Sequence, residues 1–178
     1  MSKYYKKKDW ASLPSEMLSS LAHWGLTAER AVPSVMDYPF SMLQTPWYLR
    51  EWVSENIPVE LTDDWMVTLQ RFNAAYSPFH LDIFRAWSYN CVIYGEGAVT
   101  HFKDRIDGEV VESVKYEKNK WYYHNGDKPH GVTDIPDIRI AVTIFKVRPD
   151  RVKPIDRIAG TAPLLAEEYK KDPYFYYV

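Results

Sequence analysis

Residues 79 to 94 read FHLDIFRAWSYNCVIY and are closed by the turn signal Gly95-Glu96-Gly97. Short runs rich in β-branched and aromatic residues fit the pleated, half-buried surface of a strand. Within this run His80 and Asp82 stand two positions apart. Successive side chains of a strand point to opposite faces, so the imidazole and the carboxylate project together while Leu81 packs behind. The same grammar continues to Val147, interrupted by Arg105-Ile-Asp-Gly108, His124-Asn-Gly-Asp127 and Ile135-Pro-Asp137. It predicts antiparallel strands near 79–84, 86–94, 97–103, 109–116, 120–123, 130–134 and 138–147, joined by hairpins and loops. Short strands in that number indicate a sandwich or jelly roll.

Upstream, residues 1–75 read as mostly helical. Ser15 to His23 follows Pro14, is closed by Gly25, and carries Met17, Leu18, Leu21 and Ala22 on one face. A second helix is predicted from Thr45-Pro46 through Trp47, Leu49, Trp52 and Val53 until Pro58 stops it. A third is predicted from the capping sequence Thr62-Asp-Asp64 toward Tyr76, with Trp65, Met66, Leu69, Phe72 and Asn73 as an apolar stripe. Lys6-Lys7-Lys8 reads as a solvated, mobile end. Downstream, residues 148–178 suggest a short helix from Pro163 to Lys171, followed by the aromatic tail Tyr174 to Tyr177. The whole chain, 1–178, is expected to form one α+β domain, mainly β, with the N-terminal helices packed on one sheet.

The 178 residues are 46% apolar and 26% charged, enough for a real core and too apolar for a disordered chain. Aromatic residues make up 16%, which suits strand surfaces and pocket walls. Lys and Arg number 22 against 24 Asp and Glu, so no overall positive field favours nucleic acid. The single cysteine, Cys91, forms no internal disulfide, and a reducing compartment, the cytoplasm, is the simpler expectation. No apolar run approaches the roughly 20 residues that span a bilayer.

The chemistry centres on His80, Asp82, His130 and Arg139. A jelly roll can bring a strand starting at His130 back beside the one carrying His80 and Asp82. Two histidines and one carboxylate on one side of a metal leave positions open, the arrangement that favours non-haem Fe(II) handling oxygen and a chelating co-substrate. Arg139 opens the run Arg139-Ile-Ala-Val-Thr-Ile144. Alternation puts Arg139, Ala141 and Thr143 on the face toward the barrel interior and Ile140, Val142 and Ile144 on the other. An inward arginine needs an anion, and its fixed fork suits a carboxylate, with the Thr143 hydroxyl beside it.

These residues, with Ala86 to Tyr94 and Lys128-Pro-His-Gly-Val132, resemble the Fe(II)- and 2-oxoglutarate-dependent oxygenases, in particular small phage and marine-bacterial members. The resemblance covers 79–147 and implies a double-stranded β-helix, the jelly-roll or cupin-like architecture. It implies that His80, Asp82 and His130 hold Fe(II) and that Arg139 binds the distal carboxylate of 2-oxoglutarate. Tyr89 or Asn90 is the further co-substrate contact it suggests, the register leaving the choice open. The implied reaction uses dioxygen (O2) to hydroxylate an amino acid, a peptidyl residue or another small molecule. For a phage-encoded chain the place of action is the host cytoplasm.

Other readings compete. A non-catalytic jelly-roll binding or virion-associated protein would show a large exposed aromatic patch in place of a deep cavity. His124 falls in a predicted loop, where a surface role is the default, yet replaces His130 as a ligand if the register differs. His101 reads as pocket lining or exposed strand, and His23 as packed or solvated on its helix. Glu96 and Glu109 lack any spacing that supports glycosidase chemistry. Trp87, Tyr94, Trp121 and Tyr123 are expected as pocket walls or plain core.

Overall fold

The structure, a computed structural model, describes residues 2–28, 40–43, 45–62, 65–73, 75–82 and 85–146. In chain order the elements are β1 (Tyr5–Lys8), α1 (Ser15–Thr27), β2 (Phe40–Leu43), α2 (Trp47–Asn56), β3 (Trp65–Phe72), β4 (Ser77–His80), β5 (Trp87–Tyr94), β6 (Val99–Lys103), β7 (Val110–Lys115), β8 (Trp121–Asn125), β9 (His130–Thr133) and β10 (Arg139–Lys146). They form two antiparallel sheets. One has the order β1-β8-β5-β10-β3-β2 and the other β4-β9-β6-β7. The sheets face each other as a double-stranded β-helix, and α1 and α2 pack on the outer face of the larger sheet. Among the described residues no helix is long and apolar enough to cross a membrane.

Alternation on the larger sheet sorts its residues into two environments. Val67, Leu69, Cys91, Ile93, Trp121, Ile140, Val142 and Ile144 point outward and join Leu21, Leu49 and Val53 of the helices in one apolar core. The inward residues of the same strands include Thr68, Gln70, Ser88, His124, Arg139 and Thr143, all buried and all polar. The main core therefore lies outside the sandwich, and its inside is free to be polar.

Three expectations are corrected. Residues 65–72 form a strand, not a helix. Each residue of β3 has a partner on β10, and Val67 and Leu69 face the helices while Thr68 and Gln70 face inward. A sequence with apolar residues at both helical and alternating spacings takes the form its neighbours can hydrogen-bond. The Lys6-Lys7-Lys8 run is not a loose end but the outer strand β1, paired with β8 and tied down by Lys7 Nζ to Glu117 at 2.6 Å. Lysines on an outer strand discourage further pairing with another chain. Gly25 does not close α1, which continues to Thr27. A Cβ at Gly25 would stand 2.7 Å from Cγ2 of the buried Ile140, so glycine is required there by the close approach of helix to sheet. The helix and aromatic tail expected between 163 and 177 lie outside the described residues.

Candidate functional site

β4 and β9 run side by side, and in their register His80 is the direct partner of His130, with ring centroids 4.4 Å apart. Nδ1 of His80 lies 2.8 Å from the Pro78 carbonyl oxygen, and Nδ1 of His130 lies 2.8 Å from that of Lys128. A carbonyl only accepts, so in both rings Nδ1 carries a proton and Nε2 is the nitrogen turned to ligation, as in metal-binding histidines oriented by a backbone acceptor. Asp82 follows two residues after His80, and its Oδ1 stands 4.0 Å from Nε2 of His130. One ligand atom from each of His80, Asp82 and His130 lies within 4.8 Å of the other two.

Asp82 is held from three sides. Its backbone N–H donates to the Gly126 carbonyl at 3.0 Å. Arg85 donates from Nε to Oδ2 at 2.7 Å and from a terminal nitrogen to Oδ1 at 3.2 Å, a bidentate fork. A Cβ at Gly126 would meet Oδ2 at 2.6 Å, so the carboxylate fits only because that position is glycine. Burial acts to raise the Asp82 carboxyl, but Arg85 and then His130 outweigh it and hold it below its usual value, ionised at neutral pH. Burial pushes the His130 imidazole down to about 4 against the pull of Asp82, so it is neutral and able to ligate.

Beside this cluster a cavity extends between the sheets to Arg139. The arginine is 5% exposed, and among the described residues no carboxylate pairs with it. Its Cζ lies 5.5 Å from the Phe72 ring and 5.9 Å from the Tyr116 ring. Two further atoms in the cavity wall, Oγ of Ser77 and Nε2 of His124, are buried with no hydrogen-bond partner among the described residues. A buried guanidinium with no carboxylate among the described residues, beside unsatisfied polar atoms, is costly in a closed protein and fits a cavity that receives an anion. The donor set of two imidazoles and a carboxylate fits divalent iron.

The other residues singled out in the sequence divide between the faces of β5 and β10. Asn90 lines the cavity, whereas Tyr89 points to the opposite face and packs on Trp10 and Trp87 at ring distances of 4.5 and 5.4 Å. Thr143 is fully buried and donates from Oγ1 to Oδ1 of Asn90 at 2.9 Å, so it orients the amide rather than lining the cavity itself. The aromatic walls are not those expected. Trp121 is in the outer core and donates to the Ala11 carbonyl, Tyr94 is exposed, and Trp87 and Tyr123 pack around Tyr89, while Phe72 and Tyr116 wall the cavity. His124 is not on a surface loop: β8 extends to Asn125, and alternation turns His124 inward, opposite to Trp121. His101 spends both ring nitrogens on the hydroxyls of Ser113 and Thr133, at 2.7 and 2.9 Å, and lies outside the cavity lining. His23 is exposed, and Glu96 pairs with Lys118 at 3.3 Å on the surface.

No family model matches the sequence, and no curated protein matches it either. Among solved structures the chain is similar to a prolyl-4-hydroxylase from Pseudomonas putida, at 14% identity over 82% of this chain and 94% of that one, with a TM-score of 0.52. It is also similar to an oxidoreductase of the 2OG-Fe(II) oxygenase family from Burkholderia pseudomallei, at 8% identity over 80% of this chain and 84% of that one, with a TM-score of 0.51. At such identities the likeness shows a shared fold.

Proposed function

We propose that this chain is a Fe(II)- and 2-oxoglutarate-dependent dioxygenase that hydroxylates a C–H bond of an amino acid, a peptidyl residue or another small molecule. The observation that carries the reading is the convergence of His80, Asp82 and His130 beside a buried Arg139 that has no carboxylate partner among the described residues. In this reading His80 and His130 offer Nε2 and Asp82 offers Oδ1 to the iron. Three protein ligands leave room for a chelating co-substrate and oxygen. When bound, iron and 2-oxoglutarate supply the oxidising chemistry, with succinate and carbon dioxide as co-products.

The protein's own residues position and shield. Backbone carbonyls of Pro78 and Lys128 fix both imidazoles, and Arg85 holds the far oxygen of Asp82. Arg139 receives the distal carboxylate, its buried fork strengthened by the low local dielectric. Asn90, oriented by Thr143, stands in the wall between the sheets as a further polar contact. A cytoplasmic site of action belongs to the same reading, since ferrous iron and the free Cys91 thiol both persist under reducing conditions.

The test is anaerobic addition of Fe(II) and 2-oxoglutarate, monitored by the metal-to-ligand charge-transfer band and followed, on admitting oxygen, by a succinate assay. Wild type should give the band and His80→Ala and His130→Ala should not. Arg139→Ala should weaken 2-oxoglutarate far more than iron. A wild-type protein with no band and no succinate is a binding protein, and the oxygenase reading then fails.

A further inference from the structure

His124 stands where the cavity wall passes from the metal ligands to Arg139, and none of the roles assigned so far falls to it. Its ring meets that of His130 edge-on, with centroids 4.2 Å apart. Nδ1 is 3.0 Å from the hydroxyl of Tyr116, whose ring in turn lies beside the Arg139 guanidinium. Nε2 is buried with no partner among the described residues. Native interiors seldom leave such an atom unmet, so a ligand is expected to meet it. That ligand is not the iron itself, because His124 falls outside the group whose ligand atoms lie within 4.8 Å of one another. Tyr116 is 5% exposed, and burial raises the pKa of its hydroxyl, which stays protonated and able to donate. If Tyr116 donates to Nδ1, the imidazole proton must reside on Nε2.

We propose that Tyr116 and His124 form a donor wall for the metal-proximal end of a bound 2-oxo dicarboxylate: Tyr116 Oη–H donates to His124 Nδ1, and His124 Nε2–H donates to the carboxylate next to the keto group. The inference rests on the oxygenase reading and deepens it by giving the two ends of the co-substrate separate recognition. Arg139 serves the far carboxylate and His124 the near one. His124 is a positioning residue for the co-substrate, not a ligand of the metal.

The experiment is calorimetric titration of the Mn(II)-loaded full chain with 2-oxoglutarate and, separately, with oxalate, which offers the metal-proximal carboxylates but is too short to reach Arg139. Losing one donor to a charged group is expected to weaken binding by roughly tenfold. His124→Phe should therefore weaken both ligands about equally, while its Mn(II) affinity stays within about twofold of wild type. Arg139→Met should weaken 2-oxoglutarate alone. His124→Gln, which keeps an N–H at the end of the side chain, should recover part of the loss, and Tyr116→Phe should weaken both ligands several-fold by releasing the tautomer. Unchanged affinities in His124→Phe, or in Tyr116→Phe should the first variant not fold, overturn the proposal and leave the oxygenase reading standing. A parallel loss of Mn(II) affinity in His124→Phe overturns it in favour of a role in the metal shell. A wild-type protein that binds Mn(II) but neither ligand overturns the oxygenase reading and this inference with it.

Discussion

Asp82 has a side chain only 1% exposed, and its burial as an anion depends on Arg85. Removing one partner of a buried ion pair strands the other, at a cost of roughly 3 to 5 kcal/mol. Arg85→Ala should lower the urea-derived stability of the metal-free protein by about that amount, and adding Asp82→Asn should recover most of it. A double variant no more stable than Arg85→Ala alone would show that Arg85 acts through its packing on Phe145. Acid should act on the same cluster through His130. Its folded pKa of about 4 lies below the unfolded value near 6.5, so as pH falls the unfolded chain takes the proton first. The stabilisation is complete above pH 6.5 and is lost between there and pH 4, roughly 3 kcal/mol in all. Urea titrations of metal-free protein at pH 7 and pH 5 should show the decline, and His130→Asn should flatten it. At this scale the convergence of His80, Asp82 and His130 was legible from their residue types and spacing, although β4 ends at His80 and leaves Asp82, expected within a strand over 79–84, beyond it; the inward face of Arg139 was legible from alternation along β10. Arg85, Gly126 and His124 were not: Arg85 meets Asp82 across three residues that strand alternation does not align, Gly126 acts only after β8 has turned back past Asp82, and His124 needed the true end of β8.

Elements raise a different question, whether local pattern or neighbours decide the structure. The run Trp65 to Phe72 carries a helical stripe at 65, 69 and 72 and an alternating one at 67 and 69. It becomes β3 because β10 and β2 offer ladders on both sides. The strands from β5 to β10 were legible to within a few residues because their turns, such as Gly95-Glu96-Gly97 and Asn125-Gly126, are sharp and their faces unequal. β1 and β2 were missed because a short strand of lysines and a strand of four residues have little amphipathic signal of their own. Gly25 joins the two levels. As a helix interior residue it should cost stability relative to alanine, yet a Cβ there would stand 2.7 and 2.8 Å from two carbons of Ile140, itself fully buried. Overpacking at such a contact outweighs the gain in helix propensity, and Gly25→Ala should destabilise by about 1 to 2 kcal/mol. Pairing it with Ile140→Val, which withdraws the Cδ1 methyl, should restore part of the loss. Chemical denaturation of the three variants checks this, and a stabilised Gly25→Ala would mean that the helix is free to shift on the sheet.

Across the whole molecule, the apolar core lies between helices and sheet, while the space between the sheets holds Arg139, Gln70, Thr68, Ser88 and His124. The antiparallel class of the fold was legible; the pairing of β4 with β9, from which the metal ligands gain their proximity, was foreseeable only by resemblance, because nothing local records a contact across 50 residues. This layout trades stability for a ligand-ready interior. Replacing buried ionic groups by apolar ones of similar volume often stabilises by about 1 to 4 kcal/mol, and among the described residues Arg139 has no carboxylate to offset its desolvation. Its contacts with the Phe72 and Tyr116 rings return part of that cost, on the order of 1 kcal/mol each. Arg139→Met should therefore raise the Tm of the ligand-free protein by a few degrees, at roughly 2 to 4 °C per kcal/mol for a chain of this size. The wild type, by contrast, should gain from its ligand: at 100 times Kd, 2-oxoglutarate with Mn(II) should stabilise it by about 2.7 kcal/mol beyond Mn(II) alone. Arg139→Met should show no such increment at the same concentration. Thermal melts of both proteins with and without ligand give the four values needed. If Arg139→Met melts lower than wild type without ligand, the arginine is a structural member of the interior, and the cavity is not held open for an anion.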